Sequence, residues 1–179
     1  MKRIFFDTET TGLNTDDEIV ELAITDELGN EIYCQRFKPS KKMNPKASQL
    51  TGIKDDMLID MPSFASQFDK IKSIFTNADQ SIAYNIDFDV RLLLQTCEKY
   101  DIDTNWISKI NKRCAMIMYS NYAYSWYNTV AAAKRYKLTD ACSKMSIKIQ
   151  NAHSAVGDCI MTAHLVRAME SSNDGSQTN

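Results

Sequence analysis

Asp7 and Glu9 stand one residue apart in IFFDTETTGL, Ile4 to Leu13, at the end of an apolar run. In a strand, residues two apart point to the same face, so these carboxylates project side by side. Two carboxylates that close repel, and burying an uncompensated one costs several kcal/mol. A divalent cation removes both penalties, and hard oxygen donors at this spacing suit Mg²⁺ or Mn²⁺. The alternative is structural, with Asp7 capping a turn and Glu9 solvated.

A third acid, Asp89, opens the helix-like FDVRLLLQTCEKY. Leu92, Leu93 and Thr96 follow it at helical spacing, which puts a carboxylate in line with the face that docks on a sheet. The helix dipole, which favours an anion in the first turn, is the plain alternative. Asp87 sits where a helix cap belongs and reads as structural. HSAVGD adds His153 just before the last helix and Asp158 within it, in line with Met161, Thr162, Leu165 and Met169. Histidine titrates near neutrality and is the commonest proton carrier. His164, the other histidine, reads as an ordinary surface or core residue.

The elements that must position these groups follow from periodicity and turn signals. Residues 3–7 read as a central strand, apolar on both faces. Runs over 18–27 and 31–37 flank the hairpin signal Gly29-Asn30. SQLTG reads as a short helix stopped by Gly52. Pro62 marks a helix start ahead of Phe64, Phe68, Ile71 and Phe75. QSIAY is a short strand, and DIDTNWISKINKRC ends in a possible edge strand. Asn128 is a candidate cap for TVAAAKRYKL and Ser154 for the last helix. Three early strands followed by alternating helices and strands give an α/β fold with a mixed sheet. Residues 1–170 form one domain, and the polar stretch 171–179 reads as a disordered tail.

The 179 residues suffice for one sizeable core. Net charge is −2, so binding to a polyanion must come from a local patch. The five cysteines form no Cys-x-x-Cys pair, which fits reduced thiols better than a disulfide framework or a zinc site. No apolar stretch reaches the length of a membrane span, and the N-terminus lacks a signal-peptide core, so the chain reads as cytoplasmic.

FFDTETTGL, YNIDFDVRLL and HSAVGDCIMTAHL, taken in that order, resemble the three motifs of the DEDDh family, the DnaQ-like 3′–5′ exonucleases. With ASQLTGIKDDML, which resembles the family's loop after the third strand, the likeness spans 3–168 and is closest to the exonuclease X-like branch. It implies a ribonuclease H-like mixed five-stranded sheet with helices on both faces. It implies that Asp7, Glu9, Asp89 and Asp158 hold two divalent cations, Mg²⁺ or Mn²⁺, and that His153 is the general base. Thr10, Thr11, Gly12 and Leu13, with Asn85 and Phe88 of the second motif, would hold the 3′-terminal nucleotide. Departures are Tyr84 and Thr51, where relatives often have histidine, and Gly157, where a larger apolar residue is commoner.

The implied reaction releases nucleoside 5′-monophosphates from a free 3′ end. Single-stranded DNA is the expected substrate; an exoribonuclease, or a proofreading subunit bound to a polymerase, is the alternative. Lys109–Lys148 contains eight cations against the single acid Asp140, interleaved with Tyr119, Tyr122, Tyr124, Trp126 and Tyr127. This region is expected to border the strand path. Lys38, Lys41, Lys42 and Lys46 read as a solvated loop.

Overall fold

β1 (Arg3–Thr10) turns Ile4 and Phe6 to one side and Phe5 to the other, all buried. That two-sided burial puts it at the centre of a sheet. β2 (Ile19–Thr25) and β3 (Glu31–Arg36) extend the sheet antiparallel on one side. β4 (Gln80–Ala83) and β5 (Lys112–Cys114) extend it parallel on the other, giving the order β3-β2-β1-β4-β5. The β2–β3 turn takes Gly29 through a φ of +85°. Asp26 closes it, accepting from the backbone N–H groups of Leu28 and Asn30. The structure is a computed structural model that describes residues 1–127, 135–149 and 152–174.

Helices cover both faces. α1 (Pro45–Thr51) is a short helix beside the sheet, begun by the Asn44 side chain and ended by Gly52 at φ +74°. α2 (Phe64–Thr76) and α3 (Ile86–Lys99) pack on the face that carries Ile4, Phe6, Leu22 and Ile24. There Phe75 meets the Phe6 ring edge-on at 4.9 Å and Trp106 at 5.7 Å. α4 (Ala115–Tyr127), α5 (Leu138–Lys144) and α6 (Ala155–Asp174) enclose Phe5 and Ile82 on the opposite face, with Tyr119, Leu165 and Val166 fully buried. This is the ribonuclease H-like arrangement expected from the motifs. Among the described residues no helix is long and apolar enough to cross a membrane.

Several local expectations change. The first strand does not stop at residue 7, so Asp7 and Glu9 lie inside β1. Pairing with β2 continues to Thr10↔Ile19, through a register shift at Glu9/Thr10. β4 leaves earlier, its last pair with β1 being Phe5↔Ile82. Where β4 has left, the Thr8 N–H donates to the Asp89 carboxylate at 3.1 Å. The cap of α3 is Asn85, so Asp87 lies in the first turn and not at the cap. α2 starts after Ser63, whose side chain accepts from the Ser66 N–H, and leaves Pro62 outside.

α4 has no counterpart in the sequence reading. Its apolar side chains are spread around the helix, with Tyr119 and Ala123 buried and Ile117 and Tyr124 exposed, so no stripe marks it. Asn128 and most of the helix expected after it, 128–134, lie outside the described residues. Arg135–Lys137 are not helical, and Leu138 opens α5. α6 runs through Asp174, so 171–174 join the helix; Ser172 bonds back to the Ala168 carbonyl at 2.9 Å. Residues 175–179 lie outside the described residues.

Thr96 ties α3 to the start of β2. Its hydroxyl, fully buried, accepts from the Ile19 N–H at 3.0 Å. Valine has the same shape without the acceptor and would strand that N–H. Thr96→Val is expected to cost about 1–3 kcal/mol, which lowers Tm by about 2–4 °C per kcal/mol in a domain of this size. A thermal melt with unchanged Tm would contradict this role.

Candidate active site

The β1 parity that sends Phe6 into one core sends Asp7 and Glu9 to the opposite face, beneath the start of α6. Both are half-buried and open into one cavity of about 370 Å³, a volume within the range of small-molecule sites. Asp158, in the first turn of α6, lines the same cavity. Ser154 starts that turn, its hydroxyl accepting from the Gly157 N–H at 3.2 Å. His153 enters at the rim. It is exposed, its φ is +66°, and its backbone N–H donates to Asp158 Oδ1 at 3.3 Å. A left-handed conformation at a non-glycine residue is strained, and here it turns the chain so that both side chains reach one space.

Asp89 arrives from α3, on the other side of β1. It is 2% exposed, and its Oδ1 accepts from both the Thr8 N–H at 3.1 Å and the Thr8 hydroxyl at 2.8 Å. Both bonds go to Oδ1. The Phe88 ring, next to it in sequence, lines the cavity and stacks under the Arg91 guanidinium at 5.3 Å. Thr10, Gly12 and Leu13 complete that wall, with the Leu13 side chain 74% exposed. Thr11 does not reach the cavity, being fully buried behind it. Asn85 does not line it either; it begins α3, its carbonyl accepting from the Phe88 N–H at 2.9 Å.

Burial and mutual repulsion dominate the electrostatics. Desolvation pushes the Asp7 carboxyl well up, and Asp89, Glu9, Asp158 and Glu21 push it further. Glu9 is pushed up to about 8 by burial and then by Asp158, Glu21 and Asp89. Asp89 is raised to about 7 by burial, against the opposing hydrogen bonds from Thr8. Asp158 is raised by burial too. Of the charged side chains lining the cavity, Lys46 is the sole permanent cation among the described residues. Hard carboxylate oxygens held together without a compensating cation are the donor set that a hard divalent ion fits. Among the described residues no three such side chains close on one point as a finished coordination shell. Asp7, Glu9 and Asp158 face the cavity as separate donors, whereas Asp89, held by Thr8, does not line it.

Sequence reasoning missed part of the site. Lys46, Ala47 and Leu50 of α1 line the cavity with Gly12 and Leu13, beside Thr51, one of the departures from the family's pattern. Lys46 belonged to the cluster expected to be a solvated loop, and only the fold of α1 over the sheet brings it here. No described residue of 109–148 lines the cavity. Tyr119 is core, and its neighbour Tyr122 packs against that core. Tyr84, expected to depart from the family's pattern, donates to the Tyr136 carbonyl at 2.8 Å. Glu21 lies opposite Glu9 on β2 and pairs with Arg36 at 2.6 Å; no motif announced it.

The chain matches the model of the RNase_T family, described as exonuclease, over residues 4–166. It is 32% identical to an uncharacterized exonuclease, CP81, of Escherichia phage 186, over 93% of this chain and 87% of that protein. Among solved structures, E. coli exonuclease I in complex with a dT13 oligonucleotide superposes with a TM-score of 0.78 at 20% identity. That match covers 94% of this chain but only 41% of exonuclease I. An exonuclease X in complex with 5′ overhanging duplex DNA superposes with a TM-score of 0.68 at 22% identity, over 96% of this chain and 93% of that one. At these identities the two structures speak for the fold.

Proposed function

We propose that this chain, which belongs to the RNase_T exonuclease family and is a DnaQ-type 3′–5′ exonuclease, removes nucleotides from single-stranded DNA ends with two divalent cations, Mg²⁺ or Mn²⁺. The observation that carries the reading is convergence. Asp7, Glu9, Asp158 and His153 share one cavity with Gly12, Leu13 and Phe88, although they come from three separated stretches of chain.

Asp7, Glu9 and Asp158 would hold one ion, with Asp7 also reaching the second. Asp89, its Oδ1 held by Thr8, would complete the acidic set from behind β1. Bound there, the ions would supply Lewis-acid activation of the attacking water and stabilise the departing 3′-oxygen. His153 takes the water's proton from the open rim. Leu13 and Phe88 offer apolar and aromatic surface to the terminal base, which suits a strand whose bases are unpaired. Lys46 on the opposite wall offers a cation to the phosphate backbone. The products are a nucleoside 5′-monophosphate and a strand one nucleotide shorter.

Matched single-stranded DNA and RNA, each incubated with Mg²⁺ or with EDTA, test the substrate. Faster release from DNA supports the reading. Faster release from RNA replaces the polymer and keeps the chemistry. His153→Ala is expected to lower kcat by about 10²-fold or more while the thermal stabilisation by Mg²⁺ persists. An unchanged kcat would remove His153 from the mechanism.

A further inference from the structure

Residues of β1, α1, α3 and α6 line much of the cavity, but Gly12, Leu13 and Asn14 belong to a loop. Leu13, exposed in this loop, gains nothing from burial, so its placement depends on how the rest of the loop is held. Asp17 holds it. Its carboxylate is 2% exposed. Oδ1 accepts from the Thr11 hydroxyl at 2.8 Å and pairs with Lys41 Nζ at 2.9 Å. Oδ2 accepts from the Asn14 N–H at 2.6 Å. Every oxygen of this buried charge is therefore used, the condition under which such a group rigidifies its surroundings.

Gly12 gives independent support. A Cβ there would fall 2.5 Å from Asp17 Oδ2, so the loop backbone lies against the carboxylate more closely than any other residue allows. The network also reaches the start of α1. The Thr11 carbonyl accepts from the Asn44 N–H at 2.7 Å, and Asn44 starts α1, which carries the cavity-lining Lys46 and Leu50. Lys41, in the segment leading to α1, bridges Asp17 and Asp16. One buried carboxylate thus holds the Gly12–Asn14 wall and, through Lys41 and Thr11, ties it to the α1 wall.

We propose that Asp17 is a positioning residue for the terminal nucleotide, setting the separation of the two walls that grip it. This rests on reading the cavity as the nucleotide site. Asp17 touches neither the acids nor the reacting atoms, so its loss falls on substrate binding and not on the chemical step.

The test is steady-state degradation of a single-stranded oligonucleotide, together with calorimetric titration of thymidine 5′-monophosphate, on the Mg²⁺-loaded natural chain, Asp17→Asn, Lys41→Met and Lys41→Arg. In Asp17→Asn, KM and the nucleotide Kd are expected to rise by about tenfold, with kcat changed far less and the Mg²⁺-induced rise in Tm retained. Lys41→Met moves both constants in the same direction by less, and Lys41→Arg restores them. KM and Kd unchanged in Asp17→Asn, or a loss confined to kcat, overturns the proposal. Should Asp17→Asn fail to melt cooperatively, Lys41→Met decides alone, since Lys41 is partly exposed; unchanged KM and Kd there also overturn it. A natural chain that releases no nucleotide overturns the functional reading instead, and the titration still compares the variants.

Discussion

Asp7→Ala is expected to lower nucleotide release by about 10³-fold and to leave the fold intact. Asp7 lies between its strand neighbours and the start of α6, in reach of the charges of Glu9, Asp89, Asp158 and Glu21. In the proposed mechanism it is the acid that would serve both cations. Its removal takes away one of the cavity's carboxylates while the sheet keeps its hydrogen bonds, which are backbone bonds along β1. The stability consequence runs opposite to the activity. With EDTA present the variant loses a carboxyl whose ionised form burial and its acidic neighbours disfavour, so its Tm is expected to equal or exceed that of the natural chain. Purified variant assayed for activity and melted in EDTA checks both arms. Full activity would dismantle the site assignment. A Tm well below that of the natural chain would show Asp7 to be a structural residue.

The second large effect is a linkage between pH, metal and stability. Asp7, Glu9, Asp89 and Asp158 are all raised by burial first, Asp89 to about 7 and Glu9 to about 8. Groups raised in the folded state bind more protons folded than unfolded, so their contribution is complete below their unfolded values and is lost as pH rises through the folded ones. In EDTA, stability is therefore expected to fall from about pH 5 to pH 8. Asp17 and Glu18 work the other way at low pH. Burial raises both, but the bonds from Lys41, Asn14 and Thr11 to Asp17, and from Tyr100, Lys99 and Ser40 to Glu18, leave each below its ordinary value. Their contribution is present above the unfolded carboxylate range and is lost on acidification. A bound divalent cation neutralises the ionised cluster, so Mg²⁺ is expected to raise Tm more at pH 8 than at pH 6. Melts across that range with and without Mg²⁺ measure it. A metal-free Tm that stays flat or climbs toward pH 8 contradicts the clustering of raised carboxyls.

Much of this was legible in the sequence, for local reasons. The parity of Asp7 and Glu9, the turn at Gly29-Asn30, the stop at Gly52 and the apolar line from Asp89 to Thr96 are each written within one element. What was not legible depends on contacts between elements. Nothing in the order of residues says that β4 parts from β1 after Phe5, so the Thr8–Asp89 bond could not be read. Lys46 reads like Lys38 and Lys42 until α1 is laid along the cavity. Asp17 reads as one of a run of three acids, Asp16 to Glu18, and only folding separates the exposed Asp16 from buried Asp17 and Glu18. α4 escaped because its burial comes from neighbours on the sheet face and not from a stripe in its own sequence.

The central claim is that the acids around this cavity cut the last phosphodiester of a strand in a metal-dependent reaction. The most direct measurement follows 5′-labelled single-stranded DNA incubated with the purified chain, with Mg²⁺ and with EDTA. The expected result is a ladder that shortens stepwise from the 3′ end with Mg²⁺ and disappears with EDTA. An intact strand in the presence of Mg²⁺ and cooperatively folded protein, or cutting that persists in EDTA, would contradict it.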